Sequence, residues 1–261
     1  MPSIEQSLER DYDYSILAVF REALGLSFGQ TFKFFTYGFC YTLVMVAALA
    51  LGAFISAKLG GSLELDKKYV VVLDRACTIF LLLIATAPFV AGMSAVGISG
   101  ASGLPVGWGT LYGNTKPNLK LLLIGLFVAY LGAAFMAIPH RVLPWAGPVL
   151  FLYLQIIWLM AIPLIVDRNI GPLKAMGISG KAIRKHRFKA AALVILLTIL
   201  LWLPSFLAAQ YVATVPKQPL NALVAYLLAA VVMSWALSLT AMVIGILYRI
   251  IFGPAQMTVE Q

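Results

Sequence analysis

The sequence predicts an all-α integral membrane protein of six transmembrane helices, built as three repeated units of a cytoplasmic amphipathic helix plus a transmembrane hairpin. Three observations lead there. Hydrophobic residues make up 62% of the chain and charged residues 11%, with a mean hydropathy of +0.94; soluble domains sit near ~45–50% apolar and ~25% charged. Six apolar runs approach the ~20 residues that a helix needs to cross about 30 Å of hydrocarbon. A short phrase recurs ahead of three of these runs: Ala23-Leu24-Gly25-Leu26-Ser27, Gly107-Trp108-Gly109-Thr110-Leu111 and Ala175-Met176-Gly177-Ile178-Ser179. Repeats of this kind expose the construction of membrane proteins.

In chain order the runs lie near Phe34–Ala57, Ala76–Ser94, Leu119–Ile138, Leu143–Val166, Ala190–Val212 and Leu220–Phe252. Backbone groups cannot go unpaired in lipid, and the runs lack the alternation of a barrel strand, so each reads as a helix. The last is longer than a crossing requires, so it tilts or leaves the membrane at one end. The first dozen residues carry Glu5, Glu9, Arg10 and Asp11 with no apolar segment and cleavage site directly behind them, so the first span is expected to serve as the insertion signal. Cys40 and Cys77 fall near span starts on opposite membrane faces, which predicts two small packing residues and no disulfide.

Lys and Arg orient the chain, because cytoplasmic loops carry their excess. With the N-terminus inside, thirteen of the nineteen basic residues fall on the cytoplasmic side, seven of them between Arg168 and Lys189. Both termini are then cytoplasmic. The net charge of +9 is largely this topology signal; nucleic-acid binding would need a soluble basic module that the chain lacks. Residues 1–261 form a single transmembrane domain with units near 14–98, 103–168 and 171–252. Spans two and four share a further mark near their ends, Ala85-Thr86-Ala87-Pro88-Phe89 and Met160-Ala161-Ile162-Pro163-Leu164.

The amphipathic helix of the first unit is drawn by Ile16, Phe20, Leu24 and Phe28, with Glu22 and Ser15 on the other side, and should lie along the headgroup boundary. In the third unit Gly171-Pro172 opens the helix, and Lys174, Lys181 and Lys185, with Arg184 beside them, oppose Met176 and Ile183. That basic face is the candidate contact for anionic lipid or a partner, at about 1 kcal/mol per charge near a surface. Ile162-Pro163-Leu164-Ile165-Val166-Asp167-Arg168, followed by Gly171-Pro172-Leu173-Lys174-Ala175 and Ser179, resembles a pattern in the membrane domain that accompanies some glycerophosphodiester phosphodiesterases, and in sister six-span bacterial families of unknown function. The resemblance covers about 30 residues. It implies architecture and not activity, because no soluble segment could hold the phosphodiesterase domain.

Candidate chemistry is sparse. Asp74 and Arg75 touch an apolar run, where each would cost about 2.5–3.5 kcal/mol at a helix centre; neighbours on a helix point about 100° apart, so they are not expected to pair. With Gln155 and Gln210 they form the candidate intramembrane polar site, either an interfacial and interhelical set or the lining of a path. Gly92, Ser94 and Gly97 offer small-residue surfaces for close helix approach. His140 and His186 fall on opposite faces, Asp13 has no basic partner nearby in sequence, and Gly-rich 100–113 lacks the Lys-Ser/Thr of a phosphate loop. No metal site, cofactor or catalytic set is expected. The composition favours a non-enzymatic accessory, scaffold or envelope-assembly factor that binds membrane lipid, other membrane proteins or further copies of itself. The alternative is a transporter or channel for a lipid-like or amphiphilic solute.

Overall fold

The computed structural model describes residues 4–9, 12–62, 67–112, 119–121, 123–125, 127–128, 146–214 and 219–254. Among these the chain is helical, with no strand: α1 (Ile4–Glu9), α2 (Ile16–Phe28), α3 (Thr31–Ser62), α4 (Lys67–Ala101), α5 (Trp108–Tyr112), helical residues within 119–128, α6 (Ala146–Ile157), α7 (Ala161–Arg168), α8 (Pro172–Ile183), a 3-10 turn (Arg184–His186), α9 (Arg187–Thr214) and α10 (Pro219–Phe252). The four long helices have 32, 35, 28 and 34 residues. At 1.5 Å per residue each is about 40–50 Å long, more than the hydrocarbon layer needs. Among the described residues three stretches, Leu83–Ala101, Pro172–Tyr211 and Val224–Phe252, are long and apolar enough to cross a membrane. This is a helical membrane protein.

The predicted spans at 34–57, 76–94, 190–212 and 220–252 each fall inside one continuous helix; of the one at 119–138, residues 119–121, 123–125, 127 and 128 are helical and the rest lie outside the described residues. The span predicted over Leu143–Val166 is corrected. It is two helices, α6 and α7, separated by a turn at 158–160. Pro163 has no N–H and its ring would strike the carbonyl four residues back, whereas the first turn of a helix tolerates it; α7 therefore restarts at Ala161, with Pro163 in its first turn. The freed groups find a partner far along the chain: Ser179 Oγ donates to the Ile157 carbonyl at 2.6 Å and accepts the Met160 N–H at 3.0 Å. α7 closes on Asn169 in the left-handed conformation (φ 50°), whose N–H returns to the Ile165 carbonyl. Pro88 and Pro204, by contrast, sit within unbroken helices.

Buried side chains gather at one end of the bundle, which we call the head. They come from α2, the start of α3, the last third of α4, α5, Leu121 and Ile124, the end of α6, α7, α8, the start of α9 and the last half of α10. α4 and α10 cross there backbone to backbone: a methyl group on Gly245 would run into the carbonyl of Gly97, and one on Gly97 into the carbonyl of Ala241. Gly92 is likewise closed off by the Leu111 carbonyl and the Tyr37 hydroxyl, and that hydroxyl joins α3 to α4 and α5 through the carbonyls of Pro88 (2.9 Å) and Leu111 (3.1 Å). Away from the head, large apolar side chains face outward, among them Phe54 on α3, Trp202 and Phe206 on α9 and Leu228 on α10. A surface of this kind is stable where lipid covers it.

Two expectations about packing are corrected. The buried stripe of α2 is Val19, Ala23 and Ser27; Ile16, Phe20 and Leu24 are half-buried at its flank and Phe28 is exposed. Small side chains win this face because α2 lies close against α10, with Ser238 Oγ donating to the Ser27 carbonyl at 3.0 Å. Cys40 is a free thiol on the exposed side of α3 and not an inward packer.

Candidate functional site

α8 is the amphipathic helix that the sequence pattern describes. Pro172 occupies its first turn and Gly171 its cap. Ala175, Met176, Ile178, Ser179, Ala182 and Ile183 are buried, while Lys174, Gly177 and Lys181 are exposed. Seven residues are two helical turns, so Lys174 and Lys181 share a face. Arg184 and Lys185 follow in the 3-10 turn and are also exposed. All four predicted basic residues therefore reach the surface at the head of the bundle, with Met176 and Ile183 directed into the core as expected.

Two grooves border this face and meet at Lys174. One, about 500 Å³, is almost wholly apolar, lined by Leu123, Ile124 and Phe127 on one side and Gly171, Pro172, Leu173, Lys174 and Met176 on the other. The second, about 530 Å³, runs between α1 and α8, lined by Ile4, Glu5, Leu8, Lys174, Gly177, Ile178 and Lys181. The wall of the apolar groove is fixed in place by Lys120, whose ammonium donates to the Asn169 carbonyl at 2.5 Å and to its side-chain oxygen at 2.6 Å. Neither Lys174 nor Lys181 forms an ion pair among the described residues.

Several charged groups elsewhere in the head are engaged with partners. Tyr248, fully buried on α10, donates to Asp167 Oδ2 at 2.6 Å. Arg168 Nε lies 3.0 Å from the same oxygen, and its Nη2 donates to the Phe252 carbonyl at 3.3 Å. Asp167 and Arg168 are neighbours on one helix, yet the long arginine side chain folds back to meet the carboxylate. Arg249 joins three segments: it donates to the Ala101 carbonyl at 2.5 Å and to both oxygens of Glu22 at 2.8 and 3.1 Å. Sequence reasoning missed the Asp167–Tyr248 pair; the usable signal was a lone acidic residue at the end of an apolar run.

A third cluster corrects the reading of Asp13 as partnerless. Lys189 Nζ donates to Asp13 Oδ1 at 2.5 Å and to the Tyr14 carbonyl at 3.1 Å, and His186 Nδ1 lies 3.7 Å from Asp13. His186 Nε2 sits 2.6 Å from the Tyr12 carbonyl, and the Tyr12 hydroxyl donates to the Ala182 carbonyl. The Lys189 hydrogen bond, then the Tyr14 N–H, hold the Asp13 carboxyl below the ordinary range, while burial pushes the Tyr12 hydroxyl up to about 12.

The predicted intramembrane polar residues are scattered over three helices. Asp74 and Arg75 belong to α4, their side chains outside the described residues; Gln155 is half-buried on α6 and Gln210 exposed on α9, with no hydrogen bond joining the two glutamines. His140 lies outside the described residues. Among those described, no three His, Cys, Asp or Glu residues converge on a point where they could hold a metal ion. No protein-family model matches this sequence, and no curated protein or solved structure matches it either.

Proposed function

We propose that this chain is a multi-pass protein of the bacterial inner membrane that works by binding and not by catalysis, as an accessory, scaffold or envelope-assembly subunit. In this reading it crosses the bilayer six times as three hairpin units, with both termini and the head of the bundle in the cytoplasm. One observation carries the functional part: Asp167 with Tyr248 and Arg249 with Glu22 tie the helices of the head together, while the lysines of α8 and a broad apolar surface are turned outward. Asp167, Tyr248 and Arg168, or Arg249 and Glu22, have the geometry of braces that fix a scaffold.

The three-unit construction draws support from the repeated phrase. Its middle glycine (Gly25, Gly109, Gly177) faces open space in each copy. Its last position (Ser27, Leu111, Ser179) is fully or almost fully buried each time, and each copy lies on a short helix, α2, α5 or α8. The first position differs, buried at Ala23 and Ala175 but exposed at Gly107. The test of function is purification of the whole chain in a mild detergent, followed by mass spectrometry of what accompanies it. A protein or a lipid in fixed ratio is the expected result. Proteoliposomes that move an amphiphilic solute down its gradient, with nothing retained, would replace the binding reading with the transport one.

A further inference from the structure

We propose that the exposed face of α8 seats one anionic glycerophospholipid, its headgroup at Lys174 and Lys181 and its acyl chains in the apolar groove formed with residues 123–127. This deepens the binding reading above and rests on it. A phospholipid has a charged end and an apolar end, and the site has the same two parts sharing one residue. Lys174 lines both grooves; on one side lie Leu123, Ile124, Phe127 and Leu173, on the other Lys181. The groove volume, about 500 Å³, is within the range of small-ligand sites.

Charge selects among lipids. Glu5 is the single carboxylate lining the groove between α1 and α8, set against Lys174 and Lys181, and neither lysine is ion-paired among the described residues. The balance is positive, which attracts a phosphate bearing a net negative headgroup over a zwitterionic one. The apolar wall is in place before any lipid arrives, because Lys120 ties it to Asn169 at the α7–α8 junction. A preformed groove spares a ligand the cost of ordering it.

The experiment uses the full chain in detergent, offered equal amounts of phosphatidylglycerol and phosphatidylcholine, with bound lipid counted by native mass spectrometry. One phosphatidylglycerol per chain is expected, favoured about fivefold, the effect of the one net positive charge that the two lysines leave over Glu5. Lys174→Gln with Lys181→Gln should reduce that preference to near unity. Leu123→Trp, which fills the groove without changing charge, should lower retention of both lipids; Leu173→Glu serves the same purpose if the tryptophan variant does not fold. Equal retention of the two lipids by the wild type, or an unchanged preference in the double lysine variant, would overturn the proposal while leaving a protein-binding scaffold intact. A chain that fails to float with liposomes at all would instead sink the membrane-binding reading on which the site depends.

Discussion

At the scale of single residues, the α4–α10 crossing depends on hydrogen atoms where other residues have methyl groups. Gly245→Ala should gain helix propensity and still lose stability, by about 1–3 kcal/mol, because the new methyl meets the Gly97 carbonyl, which cannot swing aside as a side chain would. Gly25→Ala is the matched control: nothing lies within 4 Å of its added carbon, so it should stabilise by about 0.5–1 kcal/mol. Thermal unfolding of both variants in one detergent decides the sign. The buried carboxylate gives a second ordering. Tyr248→Phe removes one hydrogen bond to a charged group, for about 1.5–3 kcal/mol. Arg168→Ala removes a hydrogen bond to the same carboxylate and a second one to the Phe252 carbonyl and should cost more, about 2–4 kcal/mol. Equal losses would mean that the arginine's second bond, to the Phe252 carbonyl, contributes nothing. Gly97 was visible in sequence as part of a small-residue surface. Its partners Ala241 and Gly245 lie on another helix and carry no mark to tell them from other small residues in apolar runs.

At the scale of elements, sequence periodicity located helices better than it located their buried faces or breaks. Ile16, Phe20, Leu24 and Phe28 recur as an apolar stripe should, but both lipid and core accept apolar groups, so hydrophobicity alone cannot say which face turns inward. The head selects the small face of α2 because close approach to α10 requires it. The division of span four had one local cue, Pro163, and one remote cause, the Ser179 hydroxyl on another helix. Docking of the segment before α2 is similarly non-local and depends on charge. Because the folded state lowers the Asp13 pKa, the contribution of its contacts is complete above the ordinary carboxylate range and disappears as pH falls through the depressed value. Hydrogen exchange at residues 12–15 should therefore show protection present at about pH 5 and lost once the pH lies well below the ordinary carboxylate range. Asp13→Asn should start with less protection and show little change over that window. A wild-type segment equally protected at both pH values would remove Lys189 and His186 as its anchors.

At the scale of the whole molecule, the solvent was the most legible property and the contacts of the head the least. Composition alone announces lipid, and the long helices follow from the need to pair every backbone group inside it. The basic face of α8 was also readable, since Lys174 and Lys181 follow helical spacing against Met176 and Ile183. The grooves beside it were not, because α8 forms one with Leu123, Ile124 and Phe127, about 50 positions back in sequence, and the other with Ile4, Glu5 and Leu8, about 170 positions back. The number of crossings is the quantity on which every larger statement depends. In the proposed topology the long helices beyond the head, richly apolar on their outer faces, pass through the bilayer and return, so the connections after α3 and α9 should lie on the side opposite the head. C-terminal reporter fusions truncated after Gly61, Arg141 and Gln218 should be active outside the inner membrane, and those after Ser102 and Ile178 inside it. Under that topology the seven basic residues between Arg168 and Lys189 hold their connection inside, so replacing several of them with neutral residues should scramble the fusion after Gln218, which contains all seven, and leave the one after Gly61 unchanged. An odd number of crossings would place the two termini on opposite sides and end the three-hairpin construction, because hairpins always return the chain to the side it left.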